Sequence, residues 1–471
     1  MQKLVKSIRE AIVLSGLKDG MTVSFHHHLR NGDFVLNMVM AEIAAMGIRD
    51  IFVNASSLFD AHMPLQSHIE NQVVTGISAD YISAGLGRQI SRGIMEKPVE
   101  FRTHGGRPSD ISQGRTPIDV AFIAAPTSDP MGNCSGKYGK SACGSLGYAY
   151  ADAMYARKVV VITDNLVPYP LRNWSISEDY VDFVVAVDAI GDPKGIVSGT
   201  TQITRDPVGL VMASHAAKVI EASGLLKDGF SFQTGAGGAS LAAAKFLKDI
   251  MLQKGIQGSF GLGGITGYMV DMLQAGCFRQ LMDVQCFDLK AVESIRTDPR
   301  HREISAMHYA SPASRSAVVD SLDVVILGAT QIDTDFNVNV HTDSNGYIMG
   351  GSGGHSDTAA GAKLSMIIAP MFRARLPIVT DRVTCVSTPG QDVDVLVTQG
   401  GIAVNPKNQD LMLRLKEAGL PVIDIHDLKA KTEAITGKPR TCPKGDRVVA
   451  KVFGRNGNVQ DEIYNVVEAA K

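Results

Sequence analysis

The 471-residue chain is short of several things, and each shortage excludes a class of protein. Its six cysteines (Cys134, Cys143, Cys277, Cys286, Cys385, Cys442) include no C-x-x-C pair, which argues against a zinc ribbon or a disulfide framework. They read as reduced thiols, mostly packing. Charge of neither sign dominates: 46 basic residues stand against 48 acidic ones with no Lys/Arg block, so a nucleic-acid partner is not expected. No apolar run reaches bilayer length, and the first ten residues mix charges into a helical apolar spacing, unlike a secretory leader. A cytoplasmic protein without membrane contact is expected. What the chain has is 45% hydrophobic content, enough for two or three domains with their own cores.

It also has a glycine cluster, Gly350-Gly351-Ser352-Gly353-Gly354-His355-Ser356-Asp357, followed by the small residues Ala359 to Ala362. Stripping side chains lets backbone N–H groups crowd onto one atom, and a helix start behind them favours an oxyanion or phosphate. A hinge or a tight helix-sheet contact would use the same residues.

A version of this loop occurs twice. Ser15-Gly16-Leu17-Lys18-Asp19-Gly20 before the strand-like Met21 to Phe25 recurs as Ser223 to Gly229 before Phe230 to Thr234, with Gly20 and Gly229 209 residues apart. Gly47 matches Gly255, Ile118 to Ile123 matches Leu322 to Leu327, Asn133 matches Asn337, and Gly144-Ser145-Leu146-Gly147 matches Gly351 to Gly354, all at spacings of 204 to 208. Several elements in one order at nearly one spacing indicate a tandem duplication.

Each half alternates short β-branched runs with helical stretches, the pattern of an α/β fold with a mostly parallel sheet covered on both faces. Ligands in such folds sit beyond the carboxyl ends of the strands, where the glycine-rich turns fall. The polar run from Gly191 to Pro207 reads as the linker, giving domains at 1–205 and 206–471. From Ile435 onward the tail, with Arg447 to Phe453, reads as an added edge hairpin.

Several motifs together resemble the CoA-transferases and, within them, the citrate lyase alpha-chain family. They are Phe25-His26-His27-His28, Thr103-His104-Gly105-Gly106-Arg107, Gln233 to Gly238, Gly263-Gly264-Ile265-Thr266, Phe336 to Val340, the Gly350 loop through Thr358, and Val395 to Thr398 through Gly401 to Pro406. The likeness spans almost the whole chain. It implies two tandem pseudo-symmetric CoA-transferase-like domains with a small C-terminal extension. It also implies a transferase that exchanges acetyl for citrate on the phosphopantetheine thiol of an acyl carrier protein, releasing acetate, with CoA thioesters also used. A separate beta chain would then cleave the citryl thioester, and the chain would itself bind no cofactor. The related citramalate enzyme is the alternative acceptor reading, and a homodimer or larger complex is expected. The chain starts close to its first helix, without the longer extension of many family members, so subunit contacts made there are expected to differ.

One departure from the wider superfamily bears on mechanism. Glutamate-dependent CoA-transferases carry a nucleophile on the turn that falls here at Gly261 to Gly264, and the register puts Gly263 in its place. A glycine forms no acyl-enzyme, so direct attack of a citrate carboxylate on the thioester, through a mixed anhydride, is expected. The tetrahedral oxyanions would be met by Gly350, Gly351, Ser352, Gly353, Gly354 and His355. Candidates for the citrate carboxylates are His26, His28, Arg30, His104 and Arg107, with His26 and His28 on one face of an extended strand and His27 on the other. The carrier arm is assigned to Gly235, Gly237, Gly238, Gly263 and, in the first-half copy of the loop, Ser145. Asp357 is expected to cap the helix behind the loop, with Asn337 and Asn339 supporting it from beneath.

Three rival readings use the same residues. Gly350 to Gly354 satisfies G-x-S-x-G, and Asp381 or Asp392 with His426 would complete a serine-hydrolase order around Ser352. His26 and His28 with His104 or His355 would make a zinc site, although a carboxylate or Cys ligand is lacking and no metal is expected. Gly235-Ala236-Gly237 hints at a dinucleotide, but the acidic residue expected about 20 positions on is missing. A scaffold that holds the carrier without chemistry is the non-catalytic alternative.

Overall fold

A computed structural model describes residues 3–197, 202–439 and 444–467. Two large sheets carry the same seven parallel strands in the same spatial order. In the first the order is Phe183–Ala186, Lys158–Thr163, Val120–Ala124, Thr22–Phe25, Ile51–Ala55, Val74–Ala79, Val99–Phe101. In the second it is Val395–Thr398, Leu364–Ile368, Val324–Leu327, Ser231–Thr234, Gly258–Ile265, Phe278–Cys286, His301–Glu303. The strands of the first sheet, and Val324–Leu327, Leu364–Ile368 and Val395–Thr398 of the second, are rich in Val and Ile and largely buried, as expected of a parallel sheet covered by helices, whereas Ser231–Thr234, Gly258–Ile265, Phe278–Cys286 and His301–Glu303 are not Val/Ile-rich.

The duplication extends to single hydrogen bonds. Thr22 N–H donates to the Asp119 carboxylate at 2.9 Å, and Ser231 N–H to Asp323 at 2.8 Å. Arg49 N–H donates to Asp19 and, in the copy, Gln257 N–H to Asp228. One oxygen of Asp129 gathers the N–H groups of Met131, Gly132 and Asn133, while Asp333 gathers those of Asp335 and Asn337. In each case a carboxylate satisfies backbone donors where the chain enters or leaves a strand, so both copies need Asp at the matching position.

The copies differ at their edges. Leu4–Val5 pairs with Phe183–Ala186 in the first sheet, whereas Gly401–Val404 turns back antiparallel on Val395–Thr398 in the second. The hairpin Lys444–Phe453 with Val459–Val466, which follows the second unit in sequence, joins the first sheet in space, parallel to Val99–Phe101.

The run expected as a linker is in part docked. Gly191 bridges Asp33, and a Cβ on Gly32 would stand 2.0 Å from the Asp192 carbonyl oxygen, so residues 191–196 clamp the Arg30–Gly32 turn. Close backbone contact, not flexibility, explains those glycines. The middle of the expected linker, 198–201, lies outside the described residues, and beyond it Asp206 caps the helix Pro207–Ala222.

Among the described residues no helix is long and apolar enough to cross a membrane. Cys134, Cys143, Cys277, Cys286 and Cys385 are free and buried, and Cys442 lies outside the described residues.

Candidate active site

The carboxyl-end turns of both sheets meet in one place. The Gly350 loop, which follows Val324–Leu327, lies against residues 80–82 and 103–105 of the first half. Ile82 N–H donates to the Gly350 carbonyl, Gly353 N–H to the Asp80 carbonyl and His104 N–H to the Gly353 carbonyl. A Cβ on Gly351 would stand 2.2 Å from the Asp80 carbonyl oxygen, one on Gly354 2.5 Å from the Tyr309 hydroxyl, and Gly353 has φ +52°. Gly351 and Gly353 therefore serve a backbone-to-backbone joint between the halves, and Gly354 makes room for the Tyr309 side chain of its own half. Three of the N–H groups expected to face an oxyanion are already used, Gly353's on the Asp80 carbonyl, His355's on the Ser352 carbonyl and Ser352's on His341 Nε2 at 3.3 Å.

Asp357 does not cap its own helix. Its carboxylate accepts from Gly105 N–H and Thr103 Oγ1, both at 2.8 Å, and so caps the helix Gly106–Ser112 of the other half. Burial pushes this carboxyl up to about 6 despite those donors. Asn339, by contrast, holds the segment before the loop as expected, accepting from the N–H groups of His341 and Thr342. Asn337 bonds Asp333 and accepts from Gly390 N–H.

On the first-half side the strand stops at Phe25, so the three histidines do not alternate as a strand would. His26 lies 3.7 Å from Asp152, and the ring nitrogens of His26 and His28 are buried without a hydrogen-bond partner among the described residues. Burial lowers His26 to about 4 and His28 well below its ordinary value, so both are neutral at neutral pH and offer N–H groups, not charge. His27, which sequence reasoning left out, bonds Ser56 at 2.6 Å and packs on His104 and Tyr148.

Arg107 is not free to fork a ligand. Its guanidinium donates twice to Asp152, at 2.9 and 2.7 Å, and once to Asn54 at 2.6 Å. Burial opposes the Asp152 charge, but Arg107 and His26 outweigh it and hold that carboxyl below its ordinary range. Arg30 is different. It adopts φ +51°, its guanidinium lies 5.4 Å from the Phe59 ring centre and 4.8 Å from that of Phe287, and Nη1 is buried with no hydrogen-bond partner among the described residues. A planar cation held between rings of the two halves is placed to receive a carboxylate. His104 Nδ1–H donates to the Asp80 carboxylate at 2.8 Å, and the ring turns its Nε2 edge toward Gly353.

From the second half, Gln285 Nε2 donates to the His27 carbonyl at 2.8 Å. Gly263 has φ +99°, and a Cβ there would stand 2.7 Å from the Gln233 amide carbon, so Gln233, bonded to the Tyr309 hydroxyl, fills the room a side chain would need. Gly264 makes room for the Phe287 ring. Gly235 and Gly237 are open: a Cβ would meet nothing nearer than 3.7 Å at Gly235 or 3.9 Å at Gly237. Packing therefore does not explain those two glycines, whereas a Cβ on Gly238 would stand 2.9 Å from the Gln202 carbonyl oxygen. Ser145 is buried, with its hydroxyl on the Asp283 carbonyl at 3.0 Å, and packs without facing the cleft.

The rival constellations do not assemble. Ser352 Oγ pairs with Ser356 Oγ at 2.8 Å, Asp381 bonds Lys429, and His426 sits exposed on the helix Ile425–Thr436. Both nitrogens of His355 are engaged, by Thr388 and the Gly328 carbonyl. The zinc reading loses His355 for the same reason, and among the described residues the group of potential ligands close enough to share an ion is Asp283, Cys286 and His301.

Asp80, Tyr148, Gln285 and Phe287 line this cleft and were not singled out from sequence, and Gln233 was named only as the start of a motif. Their roles depend on pairings between residues well apart in sequence, across the halves for Gln285 with His27 and Phe287 with Arg30 and within one half for the others, for which the chain carries no local signal.

Two matched parallel sheets whose carboxyl-end turns close on a His/Arg cluster and bare backbone define a CoA-transferase-like protein. Alpha subunits of malonate decarboxylase share that fold, the Acinetobacter baumannii protein at 16% identity, TM-score 0.68 and 93% of this chain against 94% of that one. The citrate lyase alpha subunit family model matches residues 1–466, and the chain belongs to that family. The citrate lyase alpha chain of Klebsiella pneumoniae is 51% identical over 465 residues, 99% of this chain and 92% of its own. The alpha subunit of citrate lyase from Streptococcus mutans, solved in complex with citrate, superposes with TM-score 0.98 at 50% identity, over 99% of this chain and 92% of that one. The chain is accordingly an enzyme, the acyl-transferring component of its class.

Proposed function

We propose that this chain moves the thiol of an acyl carrier protein, or of CoA, from acetyl to citrate, giving citryl thioester and acetate. Arg30 carries the reading: a half-buried cation whose Nη1 is buried and unsatisfied, in a left-handed backbone conformation beside the docked 191–196 segment, is costly unless a ligand carboxylate completes it. The Streptococcus mutans relative bound to citrate supports citrate as that ligand. His104, oriented by Asp80, and the neutral N–H groups of His26 and His28 surround the remaining carboxylates. Arg107 positions His26 through Asp152 and does not touch substrate.

The reaction proceeds without an acyl-enzyme. A citrate carboxylate oxygen attacks the acetyl carbonyl and the thiolate leaves, giving a mixed anhydride; the thiolate then attacks the citryl carbonyl and acetate leaves. Gly263 with Gln233 packed against it supports this, since no carboxylate stands where a nucleophile would be needed. The open backbone at Gly235 and Gly237 receives the pantetheine arm, and the Gly350 loop holds the two halves around the oxyanion. The domains divide at 205/206, and the partners are a carrier protein bearing the prosthetic group and a beta chain that cleaves its product. The chain works in the cytoplasm as a homodimer or larger assembly.

The test is acetate release from acetyl-CoA with citrate or citramalate as acceptor. Arg30→Gln is expected to raise the citrate KM at least tenfold, a loss of about 1.4 kcal/mol, with acetyl-CoA KM within twofold. Borohydride after incubation with acetyl-CoA alone is expected to leave the protein mass unchanged. An unchanged citrate KM removes Arg30 from the site, and a trapped enzyme thioester overturns the direct mechanism. Citramalate preferred over citrate would move the assignment to the related enzyme.

A further inference from the structure

A second group of chemistry-bearing side chains lies behind the cleft. Asp283 and Cys286 belong to the strand Phe278–Cys286, and His301 begins the neighbouring strand. Residues three apart on a regular strand face opposite ways, but the pairing with Gly258–Ile265 slips a residue at Gly263/Gly264, where Val284 has no partner. That bulge puts the Asp283 carboxylate and the Cys286 thiol on one side. Cys286 Sγ lies 3.0 Å from Asp283 Oδ2, and His301 Nε2 lies 2.9 Å from the same oxygen. All three residues are buried, and Asp283 Oδ1 is buried with no hydrogen-bond partner among the described residues.

We propose that Asp283, Cys286 and His301 form a metal site of the zinc class, separate from the transfer cleft. Four observations carry this. The three ligand atoms lie within 4.8 Å of one another, which spans the roughly 3.5 Å edge of a tetrahedron with bonds of about 2.0–2.3 Å. One cysteine sulfur, whose thiol proton is released to solvent as the ion binds, one imidazole and one carboxylate are a borderline-soft set that suits zinc over calcium or magnesium. His301 Nδ1 lies 2.9 Å from Ser294 Oγ, the outer bond that fixes a ligating ring with Nε2 toward the ion. The buried Asp283 carboxylate, whose Oδ1 is unsatisfied, gains a cation beside it.

The surroundings fit an ion as well. A cleft of about 580 Å³, lined by Lys137, Tyr150, Trp174 and Glu303, reaches His301 from the surface and offers a way in. On the inner side the first-half turn closes over the site: a Cβ on Gly144 would stand 2.3 Å from Cys286 Sγ, and Ser145 bonds the Asp283 carbonyl. The ion would join ligands of the second half beneath a loop of the first. It would also brace the strand that sends Gln285 to the His27 carbonyl.

Metal analysis of the full-length protein, purified without chelator and equilibrated with zinc chloride, tests this independently of acyl transfer. One zinc per chain is expected, falling at least tenfold in Cys286→Ser and in His301→Ala. Cobalt chloride added to the metal-free wild type is expected to give a sulfur-to-cobalt charge-transfer band that Cys286→Ser loses. The wild-type arm keeps the test decisive should either variant misfold. Less than a tenth of a zinc per chain without a cobalt band overturns the site, as does zinc that survives Cys286→Ser and is lost in His26→Ala.

Discussion

Arg107 shows how a residue of the right type takes a role its motif does not announce. Its turn places it where a carboxylate-binding arginine belongs, yet Asp152, 45 residues on, holds it from both terminal nitrogens. Removing one partner of such a buried pair strands the other, at a cost of about 3–5 kcal/mol. Arg107→Ala is therefore expected to lower the melting temperature by several degrees or more in calorimetry. Arg107→Ala with Asp152→Asn should recover part of that loss, which a direct substrate role for Arg107 would not predict. The residue types of this site were legible in the sequence: three histidines, two arginines and the glycine turns were all marked. Their pairing was not, because Asp80 meets His104 between two turns and Asp152 meets Arg107 between two short helices 45 residues apart, contacts that no periodicity encodes. Ser145 and His355 were marked on loop similarity alone, and burial against Asp283 and Thr388 gives them packing roles.

Among elements, the short helix Gly106–Ser112 leans on the other half of the chain. The N–H of Gly105, the residue that precedes it, donates to Asp357 from 252 residues away, and Thr103 Oγ1, which donates to the same carboxylate, accepts from the helix's leading Gly106 N–H. Because burial raises that carboxyl from its ordinary 3.8 to about 6, the folded protein holds a proton there that the unfolded chain releases. Between those values folding stability from this group falls as pH rises, and below 3.8 its contribution is fully present. Asp357→Asn is expected to flatten that slope in denaturant titrations run from pH 4 to pH 7. A slope identical to wild type would place the proton elsewhere. The strands themselves were read from β-branched runs, and the repeat from Asp and Gly positions, because backbone geometry demands those residues in both copies. The hairpin was also read correctly as an edge element. Its sheet was not, since apolar alternation says that a strand is half-buried and not which edge receives it.

Across the whole molecule the two sheets are joined by the Gly350 loop, by Asp357 and by the hairpin, with Arg455 of the hairpin paired to Asp320 of the second half. Deleting residues 440–471 would uncover the Val99–Phe101 edge and remove the buried side chains of Val449, Val452 and Ile463. At about 1.5–3 kcal/mol per side chain the loss is roughly 5 kcal/mol or more. The truncated chain is expected to elute as aggregates in size-exclusion chromatography at concentrations where the full chain does not. A soluble, well-folded truncation would show that the edge needs no cover. The hairpin has a consequence in time as well as in space. Synthesis delivers the N-terminal sheet first and its closing strands last, so nearly the entire polypeptide leaves the ribosome while that sheet still offers an unpaired flank to any neighbour.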